Sequence, residues 1–344
     1  QSDIPLDTDA QDFAGAINEL KKLSEQGGGE DWQPPSDWLE VPEPGEWEAN
    51  FLIEIKNIPT FYLWLLHPKT GEHGYGNVTV NWGDGTVETY EGCSPDDWPQ
   101  TTRRSEYHSH TYSEPGQYIV KVLADEFSCF LNRVRDKNYG SQSVNLLIAK
   151  TGKNICLVNV PDDPSGWRSS DGTFGYNFRL RWVKINGSSQ MQQNGFNNCT
   201  SLKRLDLAEP MREVPKFCFQ LTSVPRNFDF SKIQKIDEYG FAQAILPAKI
   251  ALLECTEIRN RAFNVCAAEE ISAPKCVKIA DYAAFSSNKY LKVFSAPLCT
   301  NVGISSFENC RSLEAVEFSD DCVYGTNCFY NCYSLYPRPD GSTN

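Results

Sequence analysis

The sequence predicts a mainly β molecule with short turns and helices, built in series as an N-terminal helix, a β-sandwich and a repeat solenoid. Three observations predict it. Phenylalanines recur at a near-constant interval through the second half of the chain; short runs rich in β-branched and aromatic residues, broken by Gly and Pro, fill much of the first half; and "TDAQDFAGAINELKKLSEQGGG" near the start has helical periodicity. A chain of 344 residues has room for several domains. The expected boundaries are 1–47, 48–125, 126–170 and 171–344.

The solenoid rests on a period. Phe174, Phe196, Phe219, Phe241, Phe263, Phe285, Phe307 and Phe329 follow one another at intervals of 22, 23, 22, 22, 22, 22 and 22. About six positions after most of them an apolar residue opens a short strand-like stretch, as in Leu202 to Leu207 and Leu313 to Phe318. About five positions before most stands Ile or Val: Val214, Ile236, Ile258, Ile279 and Val302. Such a period with an L-x-x-L-x-L core is the signature of a leucine-rich solenoid, whose units bury their apolar faces only by stacking.

Ten of the 13 cysteines occupy registers of the same repeat. Cys199, Cys266, Cys310 and Cys332 stand three residues after an anchor, Cys218 and Cys328 one before, and Cys255, Cys276, Cys299 and Cys322 form a third row. A position that recurs once per coil needs only a small apolar side chain that stacks on itself, which buried Cys supplies. The expectation is a ladder of buried free thiols, because equivalent Cβ vectors run parallel; disulfides or zinc are the alternatives, with Cys322, Cys328 and Cys332 the place for an exception. Unpaired thiols and an odd total suit assembly in a reducing compartment or secretion by an anaerobe.

"AF" or "GF" (Gly195-Phe196, Gly240-Phe241, Ala262-Phe263, Ala284-Phe285), then Cys three after Phe and Leu three further on, resembles the BspA-type (treponemal) leucine-rich repeat over roughly residues 170–335. Phe219 with "QLTSV" and Phe241 with "AQAIL" depart from it by lacking the Cys. The resemblance implies a surface-displayed or virion-borne binding protein rather than an enzyme.

In the N-terminal segment Phe13, Ala16, Leu20 and Leu23, widened by Ile17, form one apolar stripe, with Asp7, Thr8 or Asp9 as caps and Gly27-Gly28-Gly29 as the stop. A helix this short needs a partner for that face, either its own chain or another molecule. A Pro-rich connector with Trp32, Trp38 and Trp47 follows. Phe13, Ile17, Leu20, Leu23, Trp32 and Trp38 are the expected attachment or self-association residues. The helix, the Gly run and "DWQPPSDWLEVP" together resemble the N-terminal part of tail-fibre-like structural proteins of bacteriophages and prophages.

Residues 48–125 read as strands, with Asp84-Gly85 of "WGDGT" as a hairpin turn. "VNWGDGT" with "HTYSEPGQYIVKV" resembles the PKD-type immunoglobulin-like sandwich, which is silent on ligand. Residues 126–170 lead to the first coil, and "VNLLIAK" with "NICLVNV" is expected to pair as a cap for the solenoid.

Chemistry is sparse. The four histidines are His67, His73, His108 and His110, and none lies in the repeats. His108 and His110 would share a strand face as a two-ligand metal site does, but the resemblance implies a structural role for His110. Asp84 with Asp96 and Asp97 is a conceivable calcium set; a turn role is the plainer reading. No nucleophile elbow, Walker loop or zinc-protease motif occurs. No catalytic residue, metal or cofactor is expected. The net charge of −13 argues against nucleic acid and anionic lipid as partners, and no apolar run reaches 18 residues, so no membrane insertion is expected. "QSDIPLDTD" has no charged and apolar leader, although Gln1 is not an initiator Met and a leader could have been removed.

Two functions are then expected. The first is a phage or prophage appendage, located on the virion, that recognises a host surface protein or glycan and attaches to other virion proteins or to itself through the helix. The alternative is a bacterial surface adhesin, displayed or secreted. The expected contact residues are the positions between the apolar ones in the repeat strands, Arg181, Trp182, Lys184, Lys203, Arg204 and Lys292. The competing reading is that these cations only solvate the sheet while Trp182 packs on the strand before it.

Overall fold

The computed structural model of the protein describes residues 32–56, 60–66, 77–90, 107–124, 129–135, 144–157, 172–187 and 191–343. The expected N-terminal helix, with Phe13, Ile17, Leu20 and Leu23, lies outside the described residues, as do Asp96, Asp97, His67 and His73. Two units are present, one comprising residues 31–195 and 199–209 and the other including residues 196–198 and 210 onward. Among the described residues there is no α-helix; a single 3-10 turn, Phe230–Lys232, capped by Asp229, is the nearest approach.

The first unit contains β1 (Glu48–Ile55), β2 (Thr60–Leu66), β3 (Val78–Asn81), β4 (Val87–Tyr90), β5 (Tyr107–Thr111), β6 (Gly116–Ala124), β7 (Cys129–Arg135), β8 (Val144–Thr151), β9 (Ile155–Leu157), β10 (Trp182–Ile185) and β11 (Arg204–Leu207). One sheet has the order β11-β10-β8-β1-β6-β3-β4, the other β5-β2-β7-β9. From β4 to β8 the larger sheet is antiparallel; β10 and β11 then add parallel to β8, with Ala149 opposite Val183 and Val183 opposite Leu205. Thus β8 is shared between the antiparallel strands and the first two repeat strands.

This corrects one expectation. "VNLLIAK" and "NICLVNV" do not pair with each other, since β9 lies parallel to β7 in the smaller sheet. The reason is burial on both faces: Asn145 to Thr151 are all buried, which suits an interior strand rather than a cap hairpin. One contributor is the connector, whose Val41 and Trp38 pack against Leu52, Leu147 and Ile148 together with Ile119 and Trp182. Trp38 also meets Trp32 edge to face at 6.3 Å.

The hairpin between β3 and β4 turns through Gly83 and Gly85, at φ 89° and 98°. Any Cβ at Gly83 would lie 2.6 Å from the Ile119 carbonyl oxygen, so both conformation and space demand glycine there.

The second unit is built from β12 (Glu213–Val214), β13 (Lys235–Ile236), β14 (Lys249–Ala251), β15 (Glu257–Ile258), β16 (Glu270–Ser272), β17 (Lys278–Tyr282), β18 (Val293–Ser295), β19 (Asn301–Ile304), β20 (Ala315–Glu317) and β21 (Val323–Tyr324). They form two parallel sheets, β12-β13-β15-β17-β19-β21 and β14-β16-β18-β20, each gaining one strand per coil. Between them the anchors stack. The rings of Phe196, Phe219, Phe241, Phe263, Phe285, Phe307 and Phe329 follow at 5.3, 5.3, 5.3, 5.2, 5.0 and 5.6 Å with interplanar angles of 6° to 22°. All seven are fully buried, and so is Phe174 in the first unit.

The anchors ride on a backbone that is neither strand nor helix. Two residues before and two after each anchor from Phe196 to Phe329, φ is between 53° and 64°, the left-handed region. Only some of these residues are Asn; Phe217, Leu221 and Val265 are among the others. Chirality opposes each such residue by roughly 1–2 kcal/mol. What offsets this is hydrogen bonding. The N–H groups of Tyr239, Phe241 and Gln243 donate to the carbonyls of Asn260, Ala262 and Asn264 one coil on, at 3.1, 2.8 and 2.8 Å. Those of Gly240, Ala242 and Ala244 close turns within their own coil on Asp237, Tyr239 and Phe241. Every second N–H is spent between coils and the rest inside them, so the buried turn leaves no donor orphaned.

Candidate functional site

The thiol rows are structural, but not in the way composition suggests. Sγ of Cys199, Cys266, Cys310 and Cys332 donates to the carbonyl of the preceding anchor, Phe174, Phe241, Phe285 and Phe307, at 3.0, 2.8, 3.1 and 3.0 Å. Where Cys is missing, Thr222 donates to Phe196 and Asn288 to Phe263. The register therefore selects a small hydrogen-bond donor rather than a merely apolar side chain. Only Ala244 departs from this within the second unit's full coils.

None of the ten repeat cysteines is joined in a disulfide. Burial pushes Cys255, Cys266 and Cys332 up to about 12 and Cys322 up to about 11. Sγ of Cys276 and Cys299 donates to the carbonyls of Lys278 and Asn301, at 3.4 and 3.2 Å, and the mutual influence of the two thiols raises Cys276 and lowers Cys299. Nine of the ten are buried; Cys322 is half-buried.

Five of the six expected contact residues lie in the first unit. Trp182 packs against the cluster of Val41, Leu52, Leu147 and Ile148, with Lys150 and Arg204 4.5 and 4.6 Å from its ring. Its Nε1 donates to Asp206 at 2.8 Å, and Arg204 Nε donates to the same carboxylate. Lys184 and Lys150 both donate to Glu43, at 2.6 and 2.9 Å. Burial alone would raise Glu43, but those two hydrogen bonds outweigh it and hold its carboxyl below the usual range. Arg181 reaches the Ser201 carbonyl, at 3.4 Å. The sixth, Lys292, lies in the second unit and pairs with Glu269 at 3.0 Å. The structure brings Trp182, Lys184 and Arg204 together around two carboxylates of their own chain.

His108 and His110 make separate contacts. His110 Nε2 meets Asp84 Oδ2 at 2.6 Å and its ring stacks on Trp82; His108 stacks on Tyr90. Asp84 also accepts from the Thr86 N–H, which closes the turn. Desolvation would raise Asp84, yet the hydrogen bonds from His110 and Thr86 prevail and lower it. The stability so gained is present above the ordinary carboxylate pKa and is lost as pH falls through the depressed one. Among the described residues no group of three metal-ligating side chains is assembled, and no helix is long and apolar enough to cross a membrane.

The faces of the second unit are largely self-neutralised. Register places Glu213, Lys235, Glu257 and Lys278 side by side on successive strands, so that signs alternate where identical charges would repel. Arg259 pairs with Asp237 and Glu257, Lys216 with Glu238, Lys249 with Glu270, and Lys275 with Glu254. Beside this sheet runs a different row, two or three residues before the anchors. Phe217 stacks on Tyr239 at 5.0 Å, and the Arg261 guanidinium lies 5.5 and 5.0 Å from the rings of Tyr239 and Tyr282. Ile304 is opposite Tyr282 in register, and both are about half exposed. Sequence reasoning passed over this row because it searched strand positions between apolar residues. The available signal was the register itself, which carries aromatics in consecutive coils.

Residues 170–266 and 226–336 match the BspA type leucine-rich repeat region, in six copies. A solved leucine-rich repeat protein from Bacteroides ovatus is 22% identical, with 46% of this chain and 42% of that one covered and a TM-score of 0.37. The chain thus spans about two fifths of that protein's length. No curated protein matches.

Proposed function

We propose, from the BspA-type leucine-rich repeats carried by residues 170–336, that this is a non-enzymatic binding protein of the surface adhesin type, displayed on the cell or secreted. The observation that carries this reading is the solenoid: regular coils on a continuous aromatic stack, giving rigid faces of the kind repeat proteins use for contact. The two-sheet unit before it, which we read as a PKD-type spacer, joins the first repeat strands through β8. Because Trp182, Lys184 and Arg204 already engage Glu43 and Asp206, we seek the contact surface on the second unit. The virion-appendage reading depends on the N-terminal stretch, most of which lies outside the described residues, and it is the competing outcome of the test. Antibodies raised against residues 210–343 should label intact producing cells or their secreted fraction. Label confined to purified phage particles would replace the adhesin with the appendage.

A further inference from the structure

We propose that Arg261, held between Tyr239 and Tyr282, is a recognition site for a carboxylated sugar of an acidic glycan. The inference deepens the adhesin reading and rests on it. Its starting point is a contrast between neighbouring cations. Lys216 and Arg259 are paired with carboxylates, whereas Arg261 meets two tyrosine rings and the Tyr239 hydroxyl, to which its Nη1 donates at 2.6 Å. Among the described side chains, those that hydrogen-bond to it or lie against it are the two tyrosines. With hydrogen bonds to both tyrosines, the guanidinium is fixed in orientation, and of its five N–H donors those not given to the phenols are the ones that would meet a carboxylate. On a chain of net charge −13, a cation held by two phenols rather than by a carboxylate stands out among the described side chains.

The surroundings select the ligand class. Phe217, Tyr239, Arg261, Tyr282 and Ile304 occupy successive coils, a row of about 20 Å at one strand spacing per coil. Its backbone is not available: the N–H groups of Phe217, Tyr239, Arg261 and Ala283 all donate to the next coil. An extended peptide that binds by adding a strand would find no donors there. What the row offers is ring surface, phenol hydroxyls and one guanidinium. A uronic acid carries the complement of each: an apolar C–H face, ring hydroxyls and a carboxylate. The acidic chain repels such a ligand at long range, but at physiological ionic strength that repulsion is screened beyond about 8 Å, so the local pair decides.

The test is calorimetric titration of the full chain with a hexamer of galacturonic acid and with the neutral galactose hexamer. Binding of the uronate at least 10-fold tighter than its neutral counterpart is expected. Arg261→Gln and Tyr282→Ser should each weaken it by about 10- to 100-fold, the loss of a charge-assisted contact, with thermal melts unchanged. Arg261→Lys should lose part of the affinity, since it keeps the charge without the fork. Equal affinity for both hexamers, or full affinity in a folded Arg261→Gln, overturns the site. So does a hexaglutamate peptide that binds as tightly as the uronate with the same dependence on Arg261. If the chain labels cell surfaces yet binds no uronate, this inference falls and the adhesin reading stands; if neither is seen, both fall.

Discussion

Cys266 shows what a single repeat position asks for. Its thiol is buried, donates to the Phe241 carbonyl at 2.8 Å, and sits where other coils place Thr222 or Asn288. Cys266→Ala removes that donor and leaves a small void, at a cost of about 1–2 kcal/mol. Cys266→Ser keeps a donor of similar size and should cost less. If the position merely wanted apolar bulk the order would reverse, because Ser buries a hydroxyl. Urea denaturation of the two variants side by side distinguishes the readings. Val265, one residue earlier, is a β-branched residue at φ 59°, so the coil accepts local strain to keep its ladder.

The coil is the next scale, and its stability is shared with its neighbours. Phe263 lies between Phe241 and Phe285 at 5.3 and 5.2 Å and is fully buried. Replacing it by Ala leaves a cavity that the flanking rings cannot close without breaking their own coils' hydrogen bonds, so a cost of about 3–5 kcal/mol is expected. Thermal melts of Phe263→Ala against the parent check this; a melt unchanged within a degree would mean that the stack is not the core. Phe228 and Phe230, packed against Phe219 and Phe241, fill the coil in which a 3-10 turn stands where other coils have a strand of the four-stranded sheet. That substitution of bulk for sheet explains how the array tolerates its least regular unit.

For the molecule as a whole the thiols are a global readout. Nine of the ten repeat cysteines are buried and none is in a disulfide, and where burial also raises the thiol, as at Cys255 and Cys266, reactivity is suppressed twice. Among these ten, a maleimide reagent at neutral pH should modify Cys322 in the folded chain and the other nine only in denaturant, as counted by mass spectrometry. Reductant should leave the melting temperature unchanged. Intact disulfides between repeat positions would contradict the arrangement.

The periodic half of the fold was legible because a repeat imposes the same environment at the same register: the anchor interval, the Ile and Val rows and the cysteine rows all report recurring side-chain environments, and in the second unit those environments are set by stacking. The sequence alone determined which residues face inward there. It could not determine how the chain turns around each anchor, since left-handed φ at Phe217, Leu221 and Val265 has no compositional mark; those angles are held by hydrogen bonds to the adjacent coil. Nor could it tell a thiol chosen as a donor from one chosen as filler, because the acceptor is a carbonyl 25 residues away. Which strands Val144–Thr151 would join, and that Arg261 would meet two tyrosines, were decided only by tertiary structure: local propensity says that a segment is extended or that a cation is present, while the partner is fixed by contacts far apart in the chain.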